Sequence, residues 1–442
     1  MLAPLVLLVF TIFYIGAIMQ PRWALAVLLM LFPMKQALQG SVSIINQTPT
    51  LANYLIGIVV GIGLVWGIFR GKIKFSGYLN LIWIAVAFGY FYSCLSILWT
   101  PSKENAISYV LEGMIYVVMF IIIAPMLVGD LKEWTESLRV ATVLGIFIAI
   151  FILISPEFNL RGGRLGIDLG PKLRTSPLAI GELGGFLMIS TSLMVMPRHR
   201  ILFDIIRYVG FISGVMLAIY SGSRGQLIFA AFIAVVFFPL SRPVKNVSRF
   251  FLMVIGSATL LLLILIVISF LFGDSDVAQR WSNPGDSDKA VGVRLANFKD
   301  LIYGFIQSPS SWLIGLGLNA FSSLTGASSE PYSHSMFLDV LVEMGLPMFV
   351  LLIACIIALI RQCISVIRFS NHNPHDRSCA VVMVAICVYQ LLLMNKQGQL
   401  WVSQNTVMYF LLLAKIASPK MMQSYEDTFQ SDDSINNNSA TI

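Results

Sequence analysis

Charge is what this sequence has least of. Of its 442 residues only 12% are charged, against 57% hydrophobic, and the mean hydropathy is +0.83. So few charges cannot cover the surface of a water-soluble protein of this size, whereas a chain solvated by lipid has no need of them. The sequence also lacks a glycine-rich phosphate loop, a nucleophilic-serine motif and a His/Cys metal cluster, which removes the commonest soluble enzyme classes. Its five cysteines avoid the one long polar loop, so no disulfide framework is expected there. The first residues, MLAPLVLLVFTIFYIGAIM, have neither a basic start nor a small-residue cleavage site and read as an uncleaved first span. Charges within the apolar runs are too few, and too close to one side, for an ion relay across a bilayer.

What is present is a series of apolar runs of about 18–23 residues, the length at which a helix crosses the hydrocarbon. The expected fold is all-α and polytopic, with about 12–13 transmembrane helices. Candidate spans are 3–19, 23–38, 50–69, 77–98, 108–128, 138–156, 178–196, 202–220, 225–240, 250–272, 335–360, 379–394 and 400–417. The second is the weakest, because Pro33 and Lys35 interrupt it. Residues 1–417 form a single transmembrane domain in this reading, 273–334 its one large loop, and 418–442 a polar, disordered tail. No short-period repeat is present.

Alternate loops differ in basic residues. Arg22, Arg70, Lys72, Lys74, Lys132, Arg139, Arg198, Arg200, Arg207, Arg242, Lys245, Arg249, Arg361, Arg368, Arg377, Lys415 and Lys420 share one side, most of the 29 Lys and Arg in the chain. That side is expected to be cytoplasmic. The formal charge of +7 therefore reflects topology, and nucleic acid is not an expected partner. On the other side Lys35, Lys103 and Lys396 stand singly, while Arg161, Arg164, Lys172 and Arg174 crowd one short segment against the positive-inside tendency.

That segment, NLRGGRLGIDLGPKLRTSP, has glycines and prolines that let the backbone bend close to a ligand, and arginine forks suited to phosphate oxygens. It reads either as a clamp on a phosphate or diphosphate or as a solvated loop touching lipid headgroups. The run SGSRG, 221–225, places Arg224 between two spans. Gly222 and Gly225 would leave room for a bulky headgroup, Ser221 and Ser223 could add hydrogen bonds, and the opening N–H groups of the next helix favour an anion. Glu182, one turn into a span, calls for a partner, for which an arginine of 161–174 or Arg224 is the natural candidate; Glu112 is a weaker case of the same kind.

The long loop holds two Asp-x-Asp pairs, Asp274/Asp276 and Asp286/Asp288, which could meet a metal but are equally ordinary in a Gly/Ser-rich loop. In VGVRLANFKDLIYGFIQSPSSW, Val291, Leu295, Phe298, Ile302, Phe305 and Ile306 recur at helical spacing and predict an amphipathic helix, ended by Pro309. Arg294 on it could reach inward or lie on the surface. After GLGLNAF the loop closes with PYSHSMFLDVLVEMG. His334 is the one histidine of four on this side; it suits proton transfer near neutral pH, or it is structural at the start of a helix. Asp339 and Glu343, four apart, share a face of that helix and could orient a basic partner or face a polar cavity.

SGSRG at the start of a span, the R-x-x-x-F-K-D-x-I…SP…GLGLNAF stretch and PYSHSMFLDVLVEMG together resemble the O-antigen ligase/polymerase family of bacterial envelope glycosyltransferases. Their order covers roughly residues 210–350, and the arginine-bearing loop before them extends the resemblance to about 157–350. It implies a membrane-glycosyltransferase (GT-C-like) bundle in the bacterial inner membrane, with the large loop and the active site in the periplasm. It implies transfer of a glycan from an undecaprenyl-diphosphate carrier to a saccharide acceptor, without a cofactor or a resident metal, beside a flippase and a chain-length regulator.

By motif, Arg224 and His334 would be catalytic. Arg161, Arg164, Arg174 and Arg294 would bind diphosphate, and Glu182 and Asp339 would support them. The family's His-Asn pairing is here His334-Ser335, which leaves open what the neighbouring amide would have done. A polymerase passes the glycan to another carrier-linked repeat unit, and a ligase passes it to a lipid A–core sugar; the EPYSH form leans to polymerase. A transporter or flippase predicts a polar path through the middle of several spans, where Ile, Leu, Val and Phe dominate instead.

Overall fold

The structure is a computed structural model that describes residues 2–167, 176–195, 201–242, 246–248, 250–252, 254–256, 259, 285–321, 323, 335–370 and 374–419, without the side chains of 202, 285–291, 293, 294 and 397. It is a helical bundle. Among the described residues eight helices are long and apolar enough to cross a membrane: Thr50–Phe69, Leu81–Leu98, Lys103–Met126, Leu131–Ile154, Phe203–Tyr220, Arg224–Ser241, Met336–Phe369 and Pro374–Lys396. Ala3–Met19 and Pro177–Leu193 are shorter apolar helices. At 1.5 Å per residue, the 20 residues of Thr50–Phe69 rise roughly 30 Å, the thickness of the hydrocarbon. The chain is thus an all-α, multi-pass membrane protein. Most of the expected run 250–272, residues 273–284 and 324–334 of the loop, and the tail from 420 lie outside the described residues.

The run read as one span over 23–38 is two helices, Pro21–Leu29 and Leu31–Ser41. The break is at Met30 (φ −101°, ψ 13°), not at Pro33. Pro33 sits in the opening turn of the second helix, where no intrahelical bond needs its missing N–H. Ala24 to Leu31 are all buried, so this broken segment forms part of the core rather than a lipid-facing wall.

The helix Met336–Phe369 is longer than expected and is interrupted at Gly345 (φ 82°, ψ 173°). Its break is satisfied from outside. Pro347 has no N–H to give the Glu343 carbonyl, and Gly317 N–H donates to it instead at 3.0 Å, while Leu316 N–H reaches the Val342 carbonyl at 2.8 Å. Side chains at Gly315 (φ 74°) and Gly345 would collide with the opposite backbone, so both positions need glycine. The GLGLNAF turn is pinned further where Thr100 Oγ donates to the Leu318 carbonyl and Ser96 Oγ accepts from Leu318 N–H. This motif is a brace between the helices Leu81–Leu95 and Met336–Phe369.

The amphipathic helix runs over Gly285–Gln307, beginning before the expected Val291. Its inward stripe also differs. Leu301, absent from the expected set, is buried against Phe321 and Val342, with Phe305 beside it, whereas Leu295, Ile302 and Ile306 are exposed.

Loop contacts sort the bundle's two ends. At one, Lys415 Nζ donates to the carbonyls of Lys74 and Pro125, Lys74 pairs with Asp130, Arg22 with Glu136, Arg139 with His375, and Arg377 and Arg242 donate to the carbonyls of Leu240 and Met194. This basic end gathers the loops that the charge count placed together. Thr100, Ser176, Ser223, Ser335 and Gln399 belong to the opposite end.

Candidate functional site

Segments from distant parts of the sequence meet at the end opposite the basic one: 159–167 and 177–182, 221–226, 335–343 and 390–406. In the first, Asn159–Arg161 and Arg164–Gly166 form an antiparallel hairpin whose turn is Gly162-Gly163, both at positive φ. Two glycines with positive φ suit the tight turn that matches strand twist. Arg161 and Arg164 are direct cross-strand partners, the first exposed and the second half-buried. The turn therefore sets two guanidinium-bearing positions side by side at this end of the bundle. Phe158, Leu165 and Ile167 are buried, with Phe158 and Ile167 beside Gly40, which fixes the hairpin to the bundle. Arg174 lies outside the described residues.

Glu182 does not meet an arginine among the described residues. One of its oxygens accepts from Gln390 Nε2 and from Asn405 Nδ2, each at 2.6 Å. The amides are oriented in turn: Thr406 Oγ donates to Gln390 Oε1 at 3.0 Å, and Thr406 N–H to Asn405 Oδ1 at 2.9 Å. The expected pairing with Arg224 fails because of helix phase. Gly181, one residue earlier and about 100° around the helix, is the position that faces Ser221 and Gln226. Glu182 instead points into the bundle, where it lines a small cavity with Phe32, Phe120, Phe186 and Tyr409. Glu112 is exposed and takes a hydroxyl bond from Ser108.

Arg224 is half-buried and opens the helix Arg224–Ser241. The preceding turn is already committed. Gly222 takes φ 64°, and Ser221, 1% exposed, donates to the Ala218 carbonyl and accepts from Ser223 N–H. Ser223 Oγ accepts from Lys396 Nζ at 2.8 Å. The expectation of open room at Gly225 is therefore corrected. Both serine hydroxyls bond within the protein, and the space at Gly225 is filled by Lys396, whose ammonium a Cβ there would meet at 2.8 Å. Gln226 Nε2 donates to the Leu178 carbonyl at 2.8 Å and ties this junction to the helix bearing Glu182.

Asp339 and Glu343 do share a face, and it points inward: they are 2% and 3% exposed. Gln399 N–H donates to Asp339 Oδ2 at 2.9 Å, and the backbone N–H of Asn319 to the Glu343 carboxylate. Asn319 (φ 59°) and Gln399 (φ 56°) are the non-glycine residues at positive φ among those described. The two carboxylates thus hold two strained turns against the helix that follows His334. His334 and the first Asp-x-Asp pair lie outside the described residues. Arg294, Asp286 and Asp288 have their backbone placed on the helix Gly285–Gln307 but not their side chains.

The residues missed by sequence reasoning are Lys396, Gln390, Gln399 and Asn405. A signal for them exists in NKQGQLWVSQN, 395–405, a run of amides and one lysine between two strongly apolar helices. Chemically, this end of the bundle gathers the cations of 161, 164, 224 and 396 with Glu182, Asp339 and Glu343, whose carboxylates accept from side-chain amides and backbone N–H groups. No protein-family model matches this chain, and no curated protein matches it.

Proposed function

We propose that this chain is a membrane glycosyltransferase that moves a glycan from an undecaprenyl-diphosphate carrier to a carrier-linked saccharide, extending a polysaccharide at the periplasmic face of the inner membrane. The observation that carries the reading is the seating of Arg224, with Lys396 bonded to the adjacent Ser223, at the same end of the bundle as the Arg161/Arg164 hairpin and the helix Met336–Phe369.

A reaction that releases a lipid diphosphate suits such a site. As the acceptor hydroxyl attacks the anomeric carbon, a C–O bond forms to the acceptor and the bond from that carbon to the diphosphate oxygen breaks. Negative charge grows on the leaving diphosphate, where guanidiniums already in position stabilise it without reorganising. The acceptor's proton goes to the imidazole of His334. Attack from the face opposite the leaving group inverts the anomeric centre. Asp339 and Glu182 act as positioning residues: one holds the turn at Gln399, the other fixes the amides of the 374–397 and 404–416 helices.

The test is deletion of the gene followed by analysis of surface glycans. Loss of polymerisation predicts single repeat units on the lipid core. Full-length polymer left on the carrier would instead make the protein a ligase, and unchanged glycans would remove the reading altogether.

A further inference from the structure

Lys396 ends a long apolar helix, Pro374–Gln397, and its side chain crosses to a different helix junction. Its stem lies along Gly225, where a Cβ would meet Cδ at 3.1 Å and Cε at 3.2 Å, and its head reaches the Ser223 hydroxyl at 2.8 Å. The ammonium therefore contacts the chain on both sides of Arg224. Glycine at 225 makes this possible, since any larger residue would fill the lysine's place. A few residues on, Gln399 N–H is held by Asp339, on the helix that starts next to His334.

From this placement we infer that the Lys396 ammonium and the Arg224 guanidinium together seat the diphosphate of the prenyl donor. The inference rests on the glycosyl-transfer reading above and adds to it a binding residue outside the motifs. The lysine adds a second positive charge at the helix start that carries Arg224, and a diphosphate has enough oxygens to take charge-assisted hydrogen bonds from both cations at once. The lysine's half-buried stem keeps its head from swinging into bulk water, which limits screening of the pair. The short stretch from Lys396 to Gln399 also sets the spacing between this seat and the helix start at residue 335.

The experiment measures binding of farnesyl diphosphate, farnesyl monophosphate and inorganic pyrophosphate to the purified full-length protein in detergent, with phosphatidylglycerol as a competing lipid headgroup. Wild type is expected to prefer the diphosphate lipid over the monophosphate and over phosphatidylglycerol. Lys396→Gln should weaken diphosphate binding about tenfold, and monophosphate binding less, while Lys396→Arg stays within about threefold of wild type.

Gly225→Ala supplies the second arm. It leaves every catalytic side chain in place and improves helix propensity, but it pushes the flexible lysine head aside, so it should keep its melting temperature and still lose diphosphate affinity. Wild-type affinity in both Lys396→Gln and Gly225→Ala would overturn the assignment of Lys396 and leave the glycosyl-transfer reading standing. Failure of the wild type to bind farnesyl diphosphate, or equal binding of phosphatidylglycerol, would overturn that reading and this inference with it.

Discussion

Gly317 N–H lies 3.0 Å from the carbonyl of Glu343, in the place where a helical proline cannot donate. Through this bond the GLGLNAF turn completes a broken membrane helix, and the break in turn sets where Asp339 and Glu343 stand. Gly315→Ala is expected to be severely destabilising, because its Cβ would fall 2.1 Å from that same carbonyl at a backbone φ of 74°. Positive-φ strain alone costs about 1–3 kcal/mol, and the backbone clash adds to it. Gly61→Ala, with open space around its Cβ, should leave stability unchanged or slightly raised. Thermal melting of the two detergent-solubilised variants beside wild type checks both.

The Glu182 network predicts a graded response. Glu182→Gln retains an acceptor oxygen for the amides of Gln390 and Asn405 and should fold normally. Glu182→Ala leaves both donors without their acceptor, at about 1–3 kcal/mol for each buried group. Combined with Asn405→Ala, the loss should be less than additive. Additive losses in a double-mutant cycle would mean that the two side chains do not act through one another.

The hairpin predicts a divergence of stability from function. Arg161→Thr changes an exposed position of a short hairpin and should alter stability by less than about 1 kcal/mol. If the proposed donor site includes Arg161, the same change lowers glycan transfer several-fold. A variant with undiminished transfer at matched protein level would place Arg161 outside the donor site.

At the basic end, Lys415 is 1% exposed and spends its protons on the carbonyls of Lys74 and Pro125. Lys415→Met keeps the volume but orphans both acceptors, so a loss of about 1–3 kcal/mol is expected, with transfer by the remaining folded protein unchanged. Activity per folded molecule, measured below the melting transition, separates this structural role from a catalytic one.

Helices were legible from the sequence wherever one physical force dominated. Thr50–Phe69 and Ala3–Met19 fall where hydropathy alone places them, and Arg224–Ser241 begins one residue from its expected start. The break at Met30 was not legible, since it follows from burial of Ala24 to Leu31 against neighbouring helices and not from a local breaker. The inward face of Gly285–Gln307 was misjudged because apolar residues surround most of that helix. Only the docking of Leu301 on Phe321 and Val342 selects a side.

For the site, arginines and carboxylates drew attention because charge in a membrane is costly. The amides that hold Glu182 carry no charge and left no comparable signal. Lys396 looked solitary because its neighbours at 223–225 are distant in sequence and adjacent only in space.

The most direct measurement is transfer in proteoliposomes supplied with an undecaprenyl-diphosphate-linked oligosaccharide, with either a second carrier-linked unit or a core oligosaccharide as acceptor. The account predicts longer carrier-linked glycans and release of undecaprenyl diphosphate by wild type, lost in Arg224→Ala and His334→Ala at equal protein level. Transfer that persists in both variants, or a wild type that consumes no donor with either acceptor, would contradict it.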